Sequence, residues 1–422
     1  MKQCYLWIII STILSPIFAQ HEKLSEALIN KGFENVYNET YGGTQIWVYE
    51  NKIFRSELKA MKVFLNILKK NSSNIENARL IPLNRGIPIG SFEYTQNRDS
   101  WNVSQISLSP DFQANSPENT SFSFLPVKEN WRDNLSYGKW ELTFIPDVRA
   151  RFHTNEGFIR LKVNAIVEGA ITLGRGLKVF TQSMFPLFYQ FDKDIAEIKP
   201  GSNYLNYTVR LKNNLWVSSS AGMFHWKSGN YKDDLSGSHL GLHEWYRYGV
   251  SLETVKYFSN GKYSIFLKTD LTGHLSYQKS KWFYSSFNDR FTWFVGASYR
   301  FDYPDLYVQA GWGKDLYNNI PLEFKIVRSF RELDLGVFLV WNNQDAIEAY
   351  SGGASISIPL PYFNIKKSNT LISTSKRFDW FIWYHSGFGG RYPKAKNSIN
   401  SYQKRLFPAF VNNNQKLIEG VH

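Results

Sequence analysis

The sequence predicts a mainly β protein, an antiparallel transmembrane β-barrel of about 12–14 strands preceded by a small α/β periplasmic domain. Strand-length segments of alternating apolar and polar residues follow one another from about residue 98. Aromatic residues make up 17% of the chain, with 14 Trp, 25 Tyr and 32 Phe. No segment after the first residues is apolar over the roughly 18 positions that a spanning helix needs. The predicted parts are a signal peptide (1–19), the α/β domain (20–97) and the barrel (98–422).

The first segment is typical of a secretory signal peptide. Met1-Lys2-Gln3 gives a positive start, Tyr5 to Phe18 is an apolar run, and Ala19 offers a small residue for cleavage. We therefore expect export from the cytoplasm. Cys4 is the only cysteine and lies inside this segment. The mature chain is thus expected to contain no disulfide, no thiol nucleophile and no Cys-ligated zinc.

Residues 20–97 show the mixed periodicity of an α/β domain. A short helix carrying Leu24, Ala27 and Leu28 on one face is expected to end at Gly32. Two strands, Val36 to Tyr41 and Thr44 to Glu50, meet at the favourable turn pair Gly42-Gly43. A second helix and a further strand follow. The helix has Leu58, Met61, Leu65 and Leu68 on its core face, and the strand runs from Ile87 to Tyr94.

From about residue 98 the period changes to two, which favours strands with one apolar and one polar or small face. The runs reach about 9–11 residues, the length that a tilted strand needs to cross a bilayer. Several runs begin or end on an aromatic residue, as expected at a membrane interface. Any antiparallel sheet with one wet side shows the same alternation, so a soluble carbohydrate-binding sandwich stays open. The apolar sets are Tyr246, Tyr248, Val250 and Leu252; Phe291, Trp293, Val295, Ala297, Tyr299 and Phe301; Leu306, Val308, Ala310 and Trp312; Leu333, Leu335, Val337, Leu339 and Trp341; and Ala354, Ile356, Ile358 and Leu360.

The connections between these runs differ in length, as they do in outer-membrane barrels. Asn260-Gly261 predicts a tight hairpin turn, whereas Tyr231 to His239 and Asn342 to Tyr350 are expected to be longer loops. Arg377 to Gly387 is a candidate strand. The strand that closes the barrel is expected either there or upstream, or at Leu406 to Phe410.

The sequence shows no catalytic constellation, so no enzyme activity, cofactor or metal is predicted. His239 and His243 are four residues apart, but they lie in a predicted loop rather than on a helix, which argues against metal binding. The formal net charge of +13 is spread along the chain without a basic block, so nucleic acid is not an expected partner. Polar residues on the alternating strands are candidates for the barrel lumen, with a solvated sheet face as the alternative. They are Arg247, Glu253, Lys268, Arg300, Lys325 and Arg328.

Short motifs in three regions suggest a family. One region contains Gly311-Trp312-Gly313-Lys314-Asp315, Leu322-Glu323-Phe324, Arg328-Ser329-Phe330, Leu335-Gly336-Val337-Phe338 and Ser355-Ile356-Ser357-Ile358-Pro359-Leu360. The others contain Gly32-Phe33-Glu34-Asn35-Val36 with Glu50-Asn51 and Phe54-Arg55, and Gly174-Arg175-Gly176-Leu177 with Phe185-Pro186-Leu187. Together they resemble the YjbH-type exopolysaccharide-associated outer-membrane proteins. The resemblance implies a barrel that assists secretion or anchoring of a polysaccharide, and it carries over no catalytic residue.

Three functions therefore follow as expectations. The first is a non-enzymatic outer-membrane barrel that assists export or surface anchoring of exopolysaccharide or capsule. The second is a general porin, transporter or structural barrel, and the third is a secreted soluble carbohydrate-binding protein or enzyme. The first places the mature chain in the cell outer membrane, with lipid, exopolysaccharide and periplasmic export proteins as partners. The oligomeric state and the identity of the polymer stay open.

Overall fold

A computed structural model describes residues 23–71, 75–97, 100–108, 134–154, 157–190, 197–225, 244–278, 280–288, 290–316, 318–344, 347–367, 369–385 and 406–414. Within them the protein is mainly β, with two separate sheets and few helices. The chain divides into two compact units, Met1–Ser136 with Asn414–His422, and Tyr137–Asn413. The predicted signal peptide lies outside the described residues.

Among its described residues, the first unit contains one six-stranded sheet and two helices. Its strands are β1 (Phe33–Tyr41), β2 (Thr44–Asn51), β3 (Asn77–Asn84), β4 (Ile87–Pro88), β5 (Ser91–Asn97) and β6 (Ser100–Ser107); its helices are α1 (residues 23–30) and α2 (Glu57–Asn71). Strands β2 and β3 are parallel, and α2 is the crossover that a parallel pair requires. The other pairs are antiparallel.

The core of this unit forms where α2 covers the sheet. The Phe64 ring centroid lies 4.8 Å from that of Tyr49, 5.2 Å from that of Phe33 and 5.7 Å from that of Trp47. All four side chains are buried. Most of the predicted apolar residues of both helices are buried as well, namely Leu24 and Leu28 of α1 and the four core residues of α2, whereas Ala27 of α1 is half-buried. The hairpin turn at Gly42-Gly43 has positive φ at both glycines, as predicted for this turn pair.

The boundary between the sheets differs from the prediction at residue 98. Strand β6 pairs with β5 along its whole length, from Ser100 opposite Asn97 to Ser107 opposite Ser91. The small sheet therefore continues past the predicted start of the barrel. Period-two alternation shows that a segment is a strand, but it does not show which sheet the strand joins. The predicted strand over Ile87–Tyr94 is also divided into β4 and β5.

The second unit is built on one large sheet. Its strands are β7 (Trp140–Thr154), β8 (Gly157–Gly174), β9 (Leu177–Tyr189), β10 (Lys199–Pro200), β11 (Asn203–Leu211), β12 (Leu215–His225), β13 (Glu244–Phe258), β14 (Tyr263–Gln278), β15 (Lys281–Tyr284), β16 (Arg290–Phe301), β17 (Leu306–Lys314), β18 (Leu322–Phe330), β19 (Leu333–Gln344), β20 (Ile347–Pro359), β21 (Asn364–Lys367), β22 (Thr370–Thr374) and β23 (Arg377–His385). Thirteen of these have nine residues or more, which is longer than ordinary strands of about 5–6 residues.

The thirteen long strands pair antiparallel in chain order, and β20 pairs antiparallel with β23. One contact is different. Strand β22 runs parallel to β7, with Thr370 opposite Trp140 and Thr374 opposite Phe144. The Ser375 amide also donates a hydrogen bond of 2.8 Å to the Phe144 carbonyl. The last part of the described sheet therefore lies against its first long strand.

The connection from β13 to β14 is the tight turn predicted at Asn260-Gly261. Ser259, Asn260 and Gly261 have φ values of 46°, 54° and 87°, the left-handed region that such turns use. The long loop predicted at Asn342 to Tyr350 is wrong, because β19 continues to Gln344 and β20 begins at Ile347. The loop predicted at Tyr231 to His239 lies outside the described residues.

Near its end the chain forms a helix where one prediction placed a strand. Helix α3 covers Pro408–Asn413, so Leu406 to Phe410 is not the closing strand. The buried residues are Leu406, Phe407, Phe410 and Val411. Their spacing of three and four is the helical period, a signal that the prediction of a strand overlooked.

Two glycines face each other at a close approach of four strands, β11 to β14. Gly222 of β12 lies opposite Gly249 of β13, and their φ values are 145° and 146°. A Cβ at Gly222 would lie 2.4 Å from the Asn203 carbonyl oxygen, and one at Gly249 would lie 2.2 Å from the Leu271 carbonyl oxygen. Any larger residue at either position would therefore push neighbouring backbone away.

Candidate functional site

The candidate site is the large sheet itself, because its two faces differ sharply in chemistry and exposure. On β16 the side chains of Phe291 and Phe301 are 49% and 39% exposed. Thr292 and Arg300, on the other face of the same strand, are 0% and 8% exposed. We call the first side the exposed face and the second the buried face. Successive residues of a strand point to opposite faces, so the alternation in sequence is the cause of this division.

Strand β19 repeats the pattern. Leu335, Val337 and Leu339 lie on the exposed face and are 41%, 57% and 47% exposed. Asp334 and Val340 lie on the buried face and are 3% and 8% exposed. The exposed face is thus apolar, whereas the buried face contains a carboxylate. A sheet with one wet side has the opposite arrangement, with apolar residues inside and polar residues outside.

The exposed face is apolar over many neighbouring strands. Its large exposed side chains include Leu205 and Tyr207 of β11, Val250 and Leu252 of β13, Ile265 and Leu267 of β14, Trp312 of β17, and Phe324 and Ile326 of β18. Contiguous apolar surface beyond a few hundred Å² marks a site of contact with a membrane or a partner. The continuity of this surface from β11 to β19 favours an extended apolar environment over a single small ligand.

Five of the six charged residues predicted for a lumen lie on the buried face. Arg247 and Arg300 are buried there, at odd spacing from the exposed Val250 on β13 and Phe301 on β16. The other three are half-buried, namely Glu253 on β13, Lys268 on β14 and Lys325 on β18. The structure therefore brings these five to one side of the sheet, as the alternation predicted.

Arg328 is the exception, and its placement in a lumen is wrong. It lies on β18 with Phe324 and Ile326, on the exposed face. Arg328 is three residues from Lys325, an odd spacing that puts the two side chains on opposite faces. Its guanidinium carbon lies 4.5 Å from the centroid of the Phe330 ring, beside the turn that leads to β19. A long arginine side chain near a strand end can keep its charge in water while its stem covers apolar surface.

Charged and amide groups of the first strands pair across the buried face. Lys178 Nζ of β9 lies 2.5 Å from a carboxylate oxygen of Glu141 of β7. The Gln182 amide donates to Glu168 at 2.5 Å, and the Asn164 amide donates to Asp147 at 3.0 Å. A buried ion needs a partner because loss of its hydration is costly. These pairs supply that compensation within the sheet.

A neutral network continues this polar surface onto β11 and β12. Asn206 Nδ2 donates hydrogen bonds of 2.9 Å to both Ser218 Oγ and Ser220 Oγ. Thr208 Oγ1 lies 2.9 Å from Ser218 Oγ and donates to Asn206 Oδ1 at 3.2 Å. All four side chains are buried. Hydrogen bonds among these side chains offset the cost of removing them from water and fix their rotamers.

Arg247 and Asp270 each contact neighbouring side chains on this face. The Arg247 guanidinium donates to Thr272 Oγ1 at 3.1 Å and to the Thr272 carbonyl at 2.8 Å. Thr292 Oγ1 donates to Asp270 Oδ2 at 3.1 Å, and Lys268 Nζ lies 3.5 Å from the same oxygen. Two of the charged residues predicted from sequence, Arg247 and Lys268, are therefore held by specific neighbours.

Arg377 centres a cluster that sequence reasoning missed. It donates to Asp334 Oδ2 at 3.0 Å, to the Glu332 carbonyl at 2.7 Å and to Ser357 Oγ at 2.8 Å. Ser357 in turn donates to Asp379. Arg377 and Asp334 are 43 residues apart, and only the shared position of their strands beside β20 brings them together. Their polar positions on alternating strands were the available signal.

In the first unit the buried Glu50 carboxylate helps to hold residues 134–136 against the small sheet. Asn134 makes two hydrogen bonds with the Val36 backbone, one of 2.7 Å from the Val36 amide and one of 3.0 Å to its carbonyl. Glu50 accepts hydrogen bonds from Asn35 Nδ2 at 2.7 Å, Lys52 Nζ at 2.9 Å, the Arg85 amide at 2.9 Å, Ser136 Oγ at 3.0 Å and the Gly86 amide at 3.1 Å.

These contacts determine the ionisation of Glu50. Burial alone would raise the pKa of its carboxyl. The charge of the Lys52 ammonium and the hydrogen bonds from Lys52, the Arg85 amide and Ser136 outweigh burial and hold the pKa below its ordinary value. Glu50 is therefore an anionic anchor, and residues 134–136 are fixed to the first unit by it.

The part of the chain that the structure describes contains neither a candidate metal site nor a candidate membrane-spanning helix. There, no three His, Cys, Asp or Glu side chains gather so as to hold a metal ion. None of the helices there has the length and apolar character to cross a membrane. His239 and His243 lie outside the described residues.

Comparison of the chain with models of known protein families gives no match, and comparison with curated proteins finds no similar sequence. The chemistry of the two faces of the large sheet is accordingly the basis for a functional proposal.

Proposed function

We propose that the chain is a non-enzymatic outer-membrane β-barrel that assists export or surface anchoring of an extracellular polysaccharide, with its small α/β unit in the periplasm. The observation that carries the membrane part is the inversion of the large sheet. Apolar side chains such as Val337 are exposed, while ionised groups such as Arg247 and Asp334 are buried and paired. Lipid-facing apolar residues that alternate with polar lumen residues are the signature of transmembrane barrels.

Two further observations support a membrane-spanning barrel. The thirteen long strands have 9 to 18 residues, and about 9–11 residues suffice to cross the hydrocarbon core. The parallel contact of β22 with β7 brings the end of the sheet to its beginning. A sheet in lipid must close, since an open edge would leave backbone groups unsatisfied. The number of long strands also lies within the about 12–14 expected for the barrel.

The polysaccharide part of the proposal has separate support. It comes from the resemblance of the Gly311–Asp315, Leu322–Phe324, Arg328–Phe330, Leu335–Phe338 and Ser355–Leu360 motifs to YjbH-type proteins. These motifs lie on β17 to β20, which are consecutive paired strands. In the proposed barrel, amides, hydroxyls and ion pairs line the lumen, a surface compatible with a hydrated polymer.

The membrane part is tested by the behaviour of the whole mature protein. We expect it to sediment with outer membranes, to need detergent for extraction, and to migrate faster on a gel when unheated than when boiled. A monodisperse, folded protein in detergent-free buffer would instead favour the secreted soluble alternative.

The polysaccharide part needs a separate test in the native host. Deletion of the coding sequence is expected to reduce cell-surface polysaccharide, and wild-type protein is expected to restore it. A matched variant, Val337→Arg, tests whether the effect depends on an intact barrel. Unchanged polysaccharide beside a heat-modifiable barrel would favour the second candidate, a general porin or structural barrel. The mutual pairing of polar groups such as Asn206, Ser218 and Ser220 favours that candidate, because it supports the wall itself.

A further inference from the structure

Residues 406–413 pack against the buried face near the tight turn that joins β13 and β14. The guanidinium carbon of Arg300 lies 4.2 Å from the centroid of the Phe407 ring. The Tyr257 ring centroid lies 5.7 Å from the same ring. Tyr257 is one residue from the end of β13, and Arg300 is one residue from the end of β16. Phe407 therefore occupies the buried face beside the short turns.

Tyr257 and Arg300 form a cradle around Phe407, and Arg300 is held in place by an ion pair. Arg300 Nη1 lies 2.9 Å from Asp305 Oδ1, and its guanidinium carbon lies 5.4 Å from the centroid of the Tyr307 ring. The ion pair fixes the plane of the guanidinium, so that its face is available to an aromatic ring. A desolvated cation over an aromatic ring gives a favourable contact in addition to apolar burial.

The segment that enters the cradle is amphipathic. Leu406, Phe407, Phe410 and Val411 are 1%, 4%, 2% and 0% exposed. Asn412 and Asn413 are exposed, and Asn413 Nδ2 donates a hydrogen bond of 2.9 Å to the Asp302 carbonyl in the turn between β16 and β17. One side of the segment is thus embedded, and the other side is tied to a turn.

The segment is held by side-chain contacts, not by strand pairing. Among the described residues, no strand register includes a residue of 406–414. It can therefore leave the buried face without breaking the backbone ladder of the sheet. Since the buried face is the lumen of the proposed barrel, departure of the segment would uncover Tyr257 and Arg300.

We propose that Leu406–Asn413 is a plug that closes the short-turn end of the lumen to solutes and is displaced when the barrel conducts. The proposal rests on the proposed membrane-spanning barrel and specifies how its pore is gated. The occupant of the cradle is this segment of the same chain, and the ring of Phe407 is its anchor.

The test uses the full-length mature protein in phospholipid vesicles loaded with a small fluorescent anion and a neutral trisaccharide. Phe407→Ala with Phe410→Ala removes the anchor. The matched control is Phe324→Ala with Phe330→Ala, which removes two phenyl rings from the exposed face. A third variant, Asp302→Cys with Asn413→Cys, allows the plug to be locked by oxidation and released by a reductant.

We expect the anchor variant to raise the rate of solute release by about a hundredfold, because truncation of two buried phenylalanines shifts the plugged-to-open ratio by at least that factor. The control is expected to stay near the wild-type rate. The locked variant is expected to be impermeable when oxidised and to regain the wild-type rate when reduced.

A heat-modifiable, vesicle-inserted anchor variant with the wild-type release rate would overturn the plug. If the anchor variant does not fold, equal release by the oxidised and reduced lock variant would overturn it instead. A wild-type protein that neither inserts nor shows heat modifiability would refute the proposed barrel itself, and that result is distinct from both.

Discussion

Replacement of Val337 by arginine separates a membrane-facing sheet from a water-facing one. Val337 is 57% exposed and is the middle of the five apolar residues that β19 places on this face, from Leu333 to Trp341. If this face contacts water, the substitution should change the free energy of unfolding by no more than about 0.5 kcal/mol, as most surface substitutions do. If it contacts hydrocarbon near the midplane, the cost should be about 2–4 kcal/mol. The two ranges do not overlap.

A control on the same strand measures the effect of depth. Leu333 begins β19, four residues or about 13 Å along the strand from Val337. Leu333→Arg lies near the proposed interface, where arginine is expected to cost about 0–1 kcal/mol. Val337 lies opposite Ile326 and Ala354, so the loss of its own small side chain contributes little to the difference.

The assay is reversible unfolding in urea, with refolding into phospholipid vesicles followed by tryptophan fluorescence. We expect Val337→Arg to lower the free energy of unfolding by about 2–4 kcal/mol and Leu333→Arg to lower it by about 1 kcal/mol or less. Equal values for the two variants, or a change of only about 0.5 kcal/mol at Val337, would refute lipid contact at this face.

Three further substitutions test the polar anchors and the glycine contact. Glu50→Gln should lower the free energy of unfolding by about 1–3 kcal/mol at neutral pH. Because the folded pKa of Glu50 is lowered, its stabilising contribution in the wild type is present above the ordinary glutamate pKa of about 4.3 and is lost as pH falls through the folded value. A variant with an unchanged midpoint of urea denaturation at pH 7 would count against the anchor. Asp334→Asn should cost more alone than together with Arg377→Gln, because the double change leaves no unpaired charge; a thermodynamic cycle with zero coupling energy would contradict the ion pair. Gly249→Ala should lower the refolding yield, because its Cβ would lie 2.2 Å from a backbone carbonyl oxygen. Gly174→Ala is the control and should fold normally, because there is open space at its Cβ. Similar refolding yields for the two variants would show that the close approach at Gly249 is relieved at no cost.

The sequence alone contained the main physical signals of the fold. The alternation of Phe291, Val295 and Phe301 with Thr292 and Arg300 identified both faces of β16, because a two-residue period has only one structural interpretation within a strand. The stripe on α2 and the turn at Gly42-Gly43 were likewise local signals. In each case the determinants lie within a few residues of one another.

The remaining features depend on contacts between distant segments. Strand β6 alternates as the barrel strands do, so only its pairing with β5 reveals that it belongs to the small sheet. The Asp334–Arg377 ion pair requires the strand order of the large sheet. The contact of Phe407 with Arg300 joins residues more than a hundred positions apart, and no local sequence pattern predicts it. The position of Arg328 is different, because its odd spacing from Lys325 already puts the two side chains on opposite faces of β18.

The central claim is that the exposed face of the large sheet lies in hydrocarbon. Spin labels at single cysteines placed in turn from Leu335 to Leu339, in the mature protein in phospholipid vesicles, test it most directly. Accessibility to oxygen, which dissolves in lipid, is expected to be high at Leu335, Val337 and Leu339 and low at Gly336 and Phe338. Collision with a water-soluble nickel chelate at Val337 as frequent as at an aqueous loop would contradict the claim.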